Sequence, residues 1–134
     1  MKKETEKQKI GRIGEETASR FLVERGFSIL GRNYRKKWGE IDIIAKKDGI
    51  IRFVEVKTVS RENLKESSRD TLGSSYTPEE NVHPWKLERL NRAIQTYLID
   101  RKLEDEEWQL DVTTVFLDLK RKEARVELIE NISM

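Results

Sequence analysis

No cysteine occurs anywhere in the 134 residues. That excludes a disulfide framework, a thiolate metal site and a cysteine nucleophile. Histidine occurs once, at His83, which excludes multi-histidine zinc sites and two-histidine acid–base pairs. No apolar stretch nears the roughly 18–20 residues of a membrane-spanning helix. The N-terminal MKKETEKQK lacks the apolar segment of a secretory signal. Together with the missing cysteines, this sets the expectation of a cytoplasmic protein with no membrane association. The seven glycines form neither a phosphate loop nor a dinucleotide fingerprint. Charge, in contrast, is abundant: 39% of residues are Asp, Glu, Lys or Arg, against about 25% in typical globular proteins. A net charge of only +2 and recurrent apolar segments argue for one folded domain over 1–134 rather than a disordered chain.

The charge is unevenly placed. Residues 1–37 carry eleven Lys/Arg and five Asp/Glu, a balance of +6, and the remainder carries −4. The densest basic run is Arg32, Arg35, Lys36 and Lys37, with Tyr34 and Trp38 interleaved. Cations mixed with aromatic rings suit a nucleic-acid backbone and its exposed bases. A solvated turn between strands is the competing reading of the same run.

Residues 1–9 read as a charged tail. From 10 to 25, Ile10, Ile13, Ala18, Phe21 and Leu22 recur at a helical period, and Gly26 follows as a left-handed cap. Glu15 lies at the margin of that apolar face, and Glu16 points away from it. Strands are expected at 27–34, 39–47 and 50–59. Residues 60–81 are polar and Ser-rich, without a period, and read as a long mobile loop over the site. A second helix begins near His83-Pro84 and carries Leu87, Leu90, Ala93, Ile94, Tyr97 and Leu98 on one side. Trp85 falls off that side. Two further strands are expected at 107–119 and 124–129. The order α-β-β-β-α-β-β needs a helical crossover between the third and fourth strands. This places the chain in the α/β class, with a central mixed five-stranded sheet flanked by helices.

Asp48-Gly49 is a two-residue hairpin signal, because a type I′ turn requires positive φ at both positions. Such a turn pairs Lys47 with Ile50 and carries the register to Asp42 opposite Glu55 and Glu40 opposite Lys57. By alternation, Glu40, Asp42, Ile44, Phe53, Glu55 and Lys57 share one face. Ile41, Ile43, Ala45, Val54 and Val56 form the other, a core face. Asp42 and Glu55 then stand with Cβ atoms about 4.5–5.5 Å apart, where like charges destabilise. A divalent cation is the natural compensation, since Mg²⁺ typically takes one or two carboxylates, waters and a substrate phosphate. Lys57, on the same side, is placed to orient or activate a water or to neutralise charge on a phosphate. Glu15 offers a third carboxylate from the first helix. Surface ion pairs worth little, Glu40–Lys57 and Glu55–Lys57, are the alternative reading of these residues.

Asp, then a hairpin, then Glu-x-Lys resembles the PD-(D/E)XK motif of the restriction-endonuclease-like superfamily, with Ile41 standing where that motif has proline. The longer strings GRIGEETASRFLVERGFSILGRNYR, GEIDIIA and FVEVKT resemble the YraN-like family of uncharacterised proteins, which is close in fold to archaeal Holliday-junction resolvases. The resemblance implies a restriction-endonuclease-like core. It implies Asp42 and Glu55 as metal-binding acids for Mg²⁺ or Mn²⁺, Lys57 as catalytic lysine and Glu15 as the helix glutamate. Arg32 and Lys86 match recurrent basic positions whose expected role is phosphate contact, beside Arg35, Lys36 and Lys37. The implied function is metal-dependent cleavage of DNA, with branched or otherwise structured DNA as substrate. A two-fold junction would suit a homodimer. The alternatives are a nucleic-acid-binding module without turnover and a structural domain whose acidic face is only solvated.

Overall fold

The structure, a computed structural model, describes residues 3–60 and 84–133. Helix α1 (Glu6–Glu24) is followed by β1 (Ser28–Lys36), β2 (Gly39–Lys47) and β3 (Ile50–Ser60). Helix α2 (Pro84–Asp100), β4 (Trp108–Asp118) and β5 (Glu123–Ile129) complete the order. The five strands form one sheet in the order β1-β2-β3-β4-β5, antiparallel except for the parallel β3–β4 pair. The α/β class, the mixed five-stranded sheet and the element order are those expected from the sequence. The expected loop 60–81, apart from Ser60 at the end of β3, lies outside the described residues, as does His83.

Helix α1 starts earlier than its apolar period indicates. Thr5 and Gln8 form a capping box: Thr5 Oγ1 accepts from the Gln8 N–H at 3.0 Å, and Gln8 Oε1 accepts from the Thr5 N–H at 2.9 Å. Residues 6–9, expected in a tail, are therefore helical. The helix ends at Gly26, whose φ is 90°. The N–H of Gly26 donates to Val23 O at 3.1 Å and that of Phe27 to Leu22 O at 3.0 Å. This is a Schellman closure.

Helices cover both faces of the sheet. On the α1 side, Ala18, Leu22 and Phe27 pack with Ile43, Ala45, Val54, Val115 and Leu117. On the α2 side, Leu90, Ala93, Ile94, Tyr97 and Leu98 pack with Ile41, Ile44, Ile51, Phe53 and Leu110. The face expected to carry Asp42 and Glu55 is thus a second core at Ile44 and Phe53. Ile41 belongs to that second core, not to the face of Ile43 and Ala45. Strand alternation is interrupted at Asp42, beside the point where Asn33 of the neighbouring strand takes φ 54°. A left-handed residue reverses the pleat. Accordingly Arg32 turns to α1, and Tyr34 turns to Tyr97 of α2, with ring centroids 5.3 Å apart.

Nearer the hairpin tip, Arg52 of β3 is buried and ion-paired. Its Nη1 donates to Asp111 Oδ2 at 3.2 Å and to Glu130 Oε1 at 2.7 Å. Asp111 also accepts from Gln109 Nε2 at 2.8 Å and from the Asn131 N–H at 2.9 Å. It is a structural carboxylate and stands apart from the Asp42–Glu55 pair.

Candidate functional site

The β2–β3 hairpin turns at Asp48 and Gly49, with φ of 53° and 77°, as a type I′ turn demands. Its ladder runs in the expected register from Lys47↔Ile50 to Ile43↔Val54. One position further on, the Asp42 carboxylate enters the space between the strands, and its Oδ2 accepts from the Val56 N–H at 2.8 Å. The β2–β3 pair forks where the side chain replaces the backbone acceptor, and the acidic pair sits in the fork.

Asp42 and Glu55 are in hydrogen-bonding contact. The Asp42 carboxyl is pushed up to about 8, by burial first, then by the Glu55 charge and the hydrogen bond to Glu55, against the opposing pull of the Val56 N–H. At neutral pH the pair therefore keeps a proton where two carboxylates would repel. Glu15 is shifted upward as well, by burial and then by the Asp42 charge, opposed by a hydrogen bond with Asn33 and by Arg32. Gly14, next to Glu15, lets α1 approach β3, because a Cβ there would collide with the Thr58 side chain. Glu15 senses Asp42 without joining the pair. Among the described residues no group of three or more acidic or histidine side chains converges as a metal cage.

The basic positions are sorted by the fold. Lys86 Nζ lies 3.5 Å from Glu55 Oε1, beside the acidic pair. Arg32 reaches α1 instead, with Nη1 3.4 Å from Glu16 Oε2 and Nη2 3.8 Å from Glu15 Oε1. Arg35 pairs at 3.3 Å with Glu40, both largely exposed. Lys36 lines a cavity of about 430 Å³ that also borders Glu40, Glu55, Lys86 and Arg89. Lys37 and Lys57 are exposed, and alternation puts Lys57 on the same side of β3 as Glu55.

The family model described as uncharacterised protein family UPF0102 matches residues 14–126, a span that holds every one of these positions. The chain belongs to that family. It is 40% identical to a UPF0102 protein of Moorella thermoacetica, over 90% of this chain and 91% of the relative. It is 37% identical to one of Helicobacter hepaticus, over 92% and 94%, and 36% identical to one of Alkaliphilus oremlandii, over 92% and 97%.

In this UPF0102 member the sequence pattern missed two cavity residues, Arg89 and Trp85. They stand four apart on α2, a spacing that puts them on one helix side, but the apolar period marks the opposite one. Trp38, a candidate for base stacking, is used otherwise. Its Nε1 donates to Thr96 Oγ1 at 3.2 Å, and the Arg92 guanidinium lies 5.6 Å from its ring centroid. It ties the β1–β2 turn to α2.

Proposed function

We propose that this chain is a metal-dependent nuclease that binds DNA and cleaves its phosphodiester bonds, with branched or otherwise structured DNA as substrate. One observation carries the reading. Two half-buried carboxyl groups, Asp42 and Glu55, are held against each other at a strand fork, where they must keep a proton between them or share a cation. The donor set fits Mg²⁺ or Mn²⁺, which need only one or two protein carboxylates when phosphate and water complete the shell. Asp42 and Glu55 would hold the ion. Bound there, it would supply Lewis-acid stabilisation at the scissile phosphate and make water nucleophilic at neutral pH.

The chain's own residues do the rest. The Val56 N–H fixes one Asp42 oxygen and so orients the carboxylate. Lys57 orients the attacking water or neutralises developing charge. Lys36, Lys86 and Arg89 bind neighbouring phosphates around the cavity. With a cation held by Glu55, Lys86, now 3.5 Å from Glu55 Oε1, would be free to contact phosphate. No third carboxylate converges on the pair among the described residues, and this favours a second reading, a DNA-binding module without turnover. Incubation with linear, flapped and four-way DNA, in Mg²⁺ or Mn²⁺ and in chelator, separates the two. Metal-dependent cleavage that disappears in Asp42→Asn and in Lys57→Ala supports the nuclease. Binding without cleavage supports the module, and neither binding nor cleavage removes both.

A further inference from the structure

Helix α2 has a second stripe besides its buried one. Trp85, Arg89, Arg92 and Thr96 follow one another at helical spacing away from the Leu90–Ile94 face. The β1–β2 turn fixes this stripe at three points. Trp38 bonds Thr96 and faces Arg92, and Arg89 Nε donates to the Trp38 carbonyl at 3.1 Å. Gly39 allows the close approach, because a Cβ there would meet the Arg89 carbonyl. Trp85 is thereby held at the mouth of the Glu55 cavity with 59% of its surface exposed. Among the described residues, the other large exposed apolar ones, Val23, Leu30, Ile99 and Leu119, are aliphatic and do not line this cavity.

We infer that the cavity receives one unpaired nucleotide, with its base against the Trp85 indole and its phosphate among Lys36, Lys86 and Arg89. The substrate class is then DNA with an unpaired strand beside the cleaved bond: single strands, flaps and open junctions. This rests on the reading of the chain as a protein that acts on DNA. Among the described residues, three lining cations against two carboxylates, Glu40 and Glu55, leave the cavity attractive to an anion. A volume of about 430 Å³ lies in the range of small-ligand sites and suits one nucleotide. An indole offers a broad, rigid stacking surface. Inside a duplex both faces of every base are covered by its neighbours, so only an unpaired base can use that surface.

The test uses the full chain in chelator, which separates binding from cleavage. Labelled oligothymidylate, a flapped duplex, a blunt duplex and an abasic strand are titrated by fluorescence anisotropy. Trp85→Ala is expected to weaken oligothymidylate and flap binding by about 5- to 150-fold and to leave blunt-duplex and abasic-strand binding unchanged. Trp85→Phe is expected to restore most of the affinity. Equal weakening on all four probes, or none on any, overturns the inference. An unchanged thermal melt of Trp85→Ala shows that the variant is folded. The same preparations are then given Mg²⁺ or Mn²⁺. Cleavage with no Trp85-dependent preference overturns this inference and leaves the nuclease reading intact. Trp85-dependent binding with no cleavage does the reverse.

Discussion

Replacing Asp42 by Asn removes a titratable carboxyl at nearly constant volume from a site where two carboxyls touch. The metal-free Asp42→Asn protein should therefore melt at the same temperature as the original or higher, as expected where a site trades stability for activity. It should lose any stabilisation by Mg²⁺ or Mn²⁺, because linkage disappears with the ligand. Thermal melts with metal and with chelator check both. The pH dependence has a definite sign. The Asp42 carboxyl titrates near 8 in the folded chain and near 3.9 when unfolded, so the folded state holds the extra proton between these values. Stability contributed by that proton is complete below about pH 4 and is lost as pH rises through 8, at up to about 1.4 kcal/mol per pH unit. In chelator, Asp42→Asn should flatten that slope. Asp111 predicts the opposite behaviour. It is fully buried and pairs with Arg52, so Asp111→Ala leaves Arg52 to the half-exposed Glu130 alone and should cost about 1.5–3 kcal/mol in urea unfolding. Composition and spacing could not tell these two aspartates apart. Each stands on a strand among apolar neighbours, and only the partner brought up by the fold distinguishes them.

Elements end on cue where local chemistry is explicit and run on where it is not. Gly26 marks the end of α1 because αL geometry favours a residue without Cβ. Helix α2 closes the same way without a glycine. Lys102 takes φ 57°, and the Leu103 N–H reaches Leu98 O at 2.8 Å. That end is not legible in the sequence, because lysine carries no turn preference. The capping box at Thr5 is legible in principle, as Thr-x-x-Gln, but it precedes the apolar period that marks the helix. Close packing between elements yields a paired prediction. Gly39→Ala sets a Cβ against the Arg89 carbonyl, which moves only if α2 moves, and should cost about 1–3 kcal/mol in thermal or urea unfolding. Gly11→Ala, inside α1 with open space around its Cβ, should instead stabilise by about 0.5–1 kcal/mol in the same measurement.

Over the whole molecule the charge asymmetry becomes a surface with unequal parts. The basic run at 32–37 reads as one patch in the sequence, but the fold divides it: Arg32 clamps α1, Arg35 pairs with Glu40, and Lys36 reaches the Glu55 cavity. DNA affinity should fall steeply with salt, since each neutralised phosphate releases counterions. In the combined Arg35→Ala, Lys36→Ala, Lys37→Ala protein the log–log slope should become shallower by about 0.7–0.9 for each phosphate that is no longer neutralised. An unchanged slope would show that none of the three touches the backbone. Among the described residues no helix is long and apolar enough to cross a membrane.

Sequence alone determined the hairpin and its register as far as Ile43↔Val54. A two-residue Asp-Gly turn leaves one register, and strand alternation has a period of two. It also determined the element order and the parallel crossover. What only the tertiary structure decided is how the site is finished. The fork at Asp42, the reversal of alternation beside Asn33 and the burial of the charged face against α2 follow from how strands twist and helices dock. The arrival of Lys86, Arg89 and Trp85 at the acidic pair depends on the close approach of Gly39 to α2 and the clasp made by Trp38. These interactions join residues some fifty positions apart, as between Trp38 and Arg89, and no local pattern encodes a packing distance between distant elements.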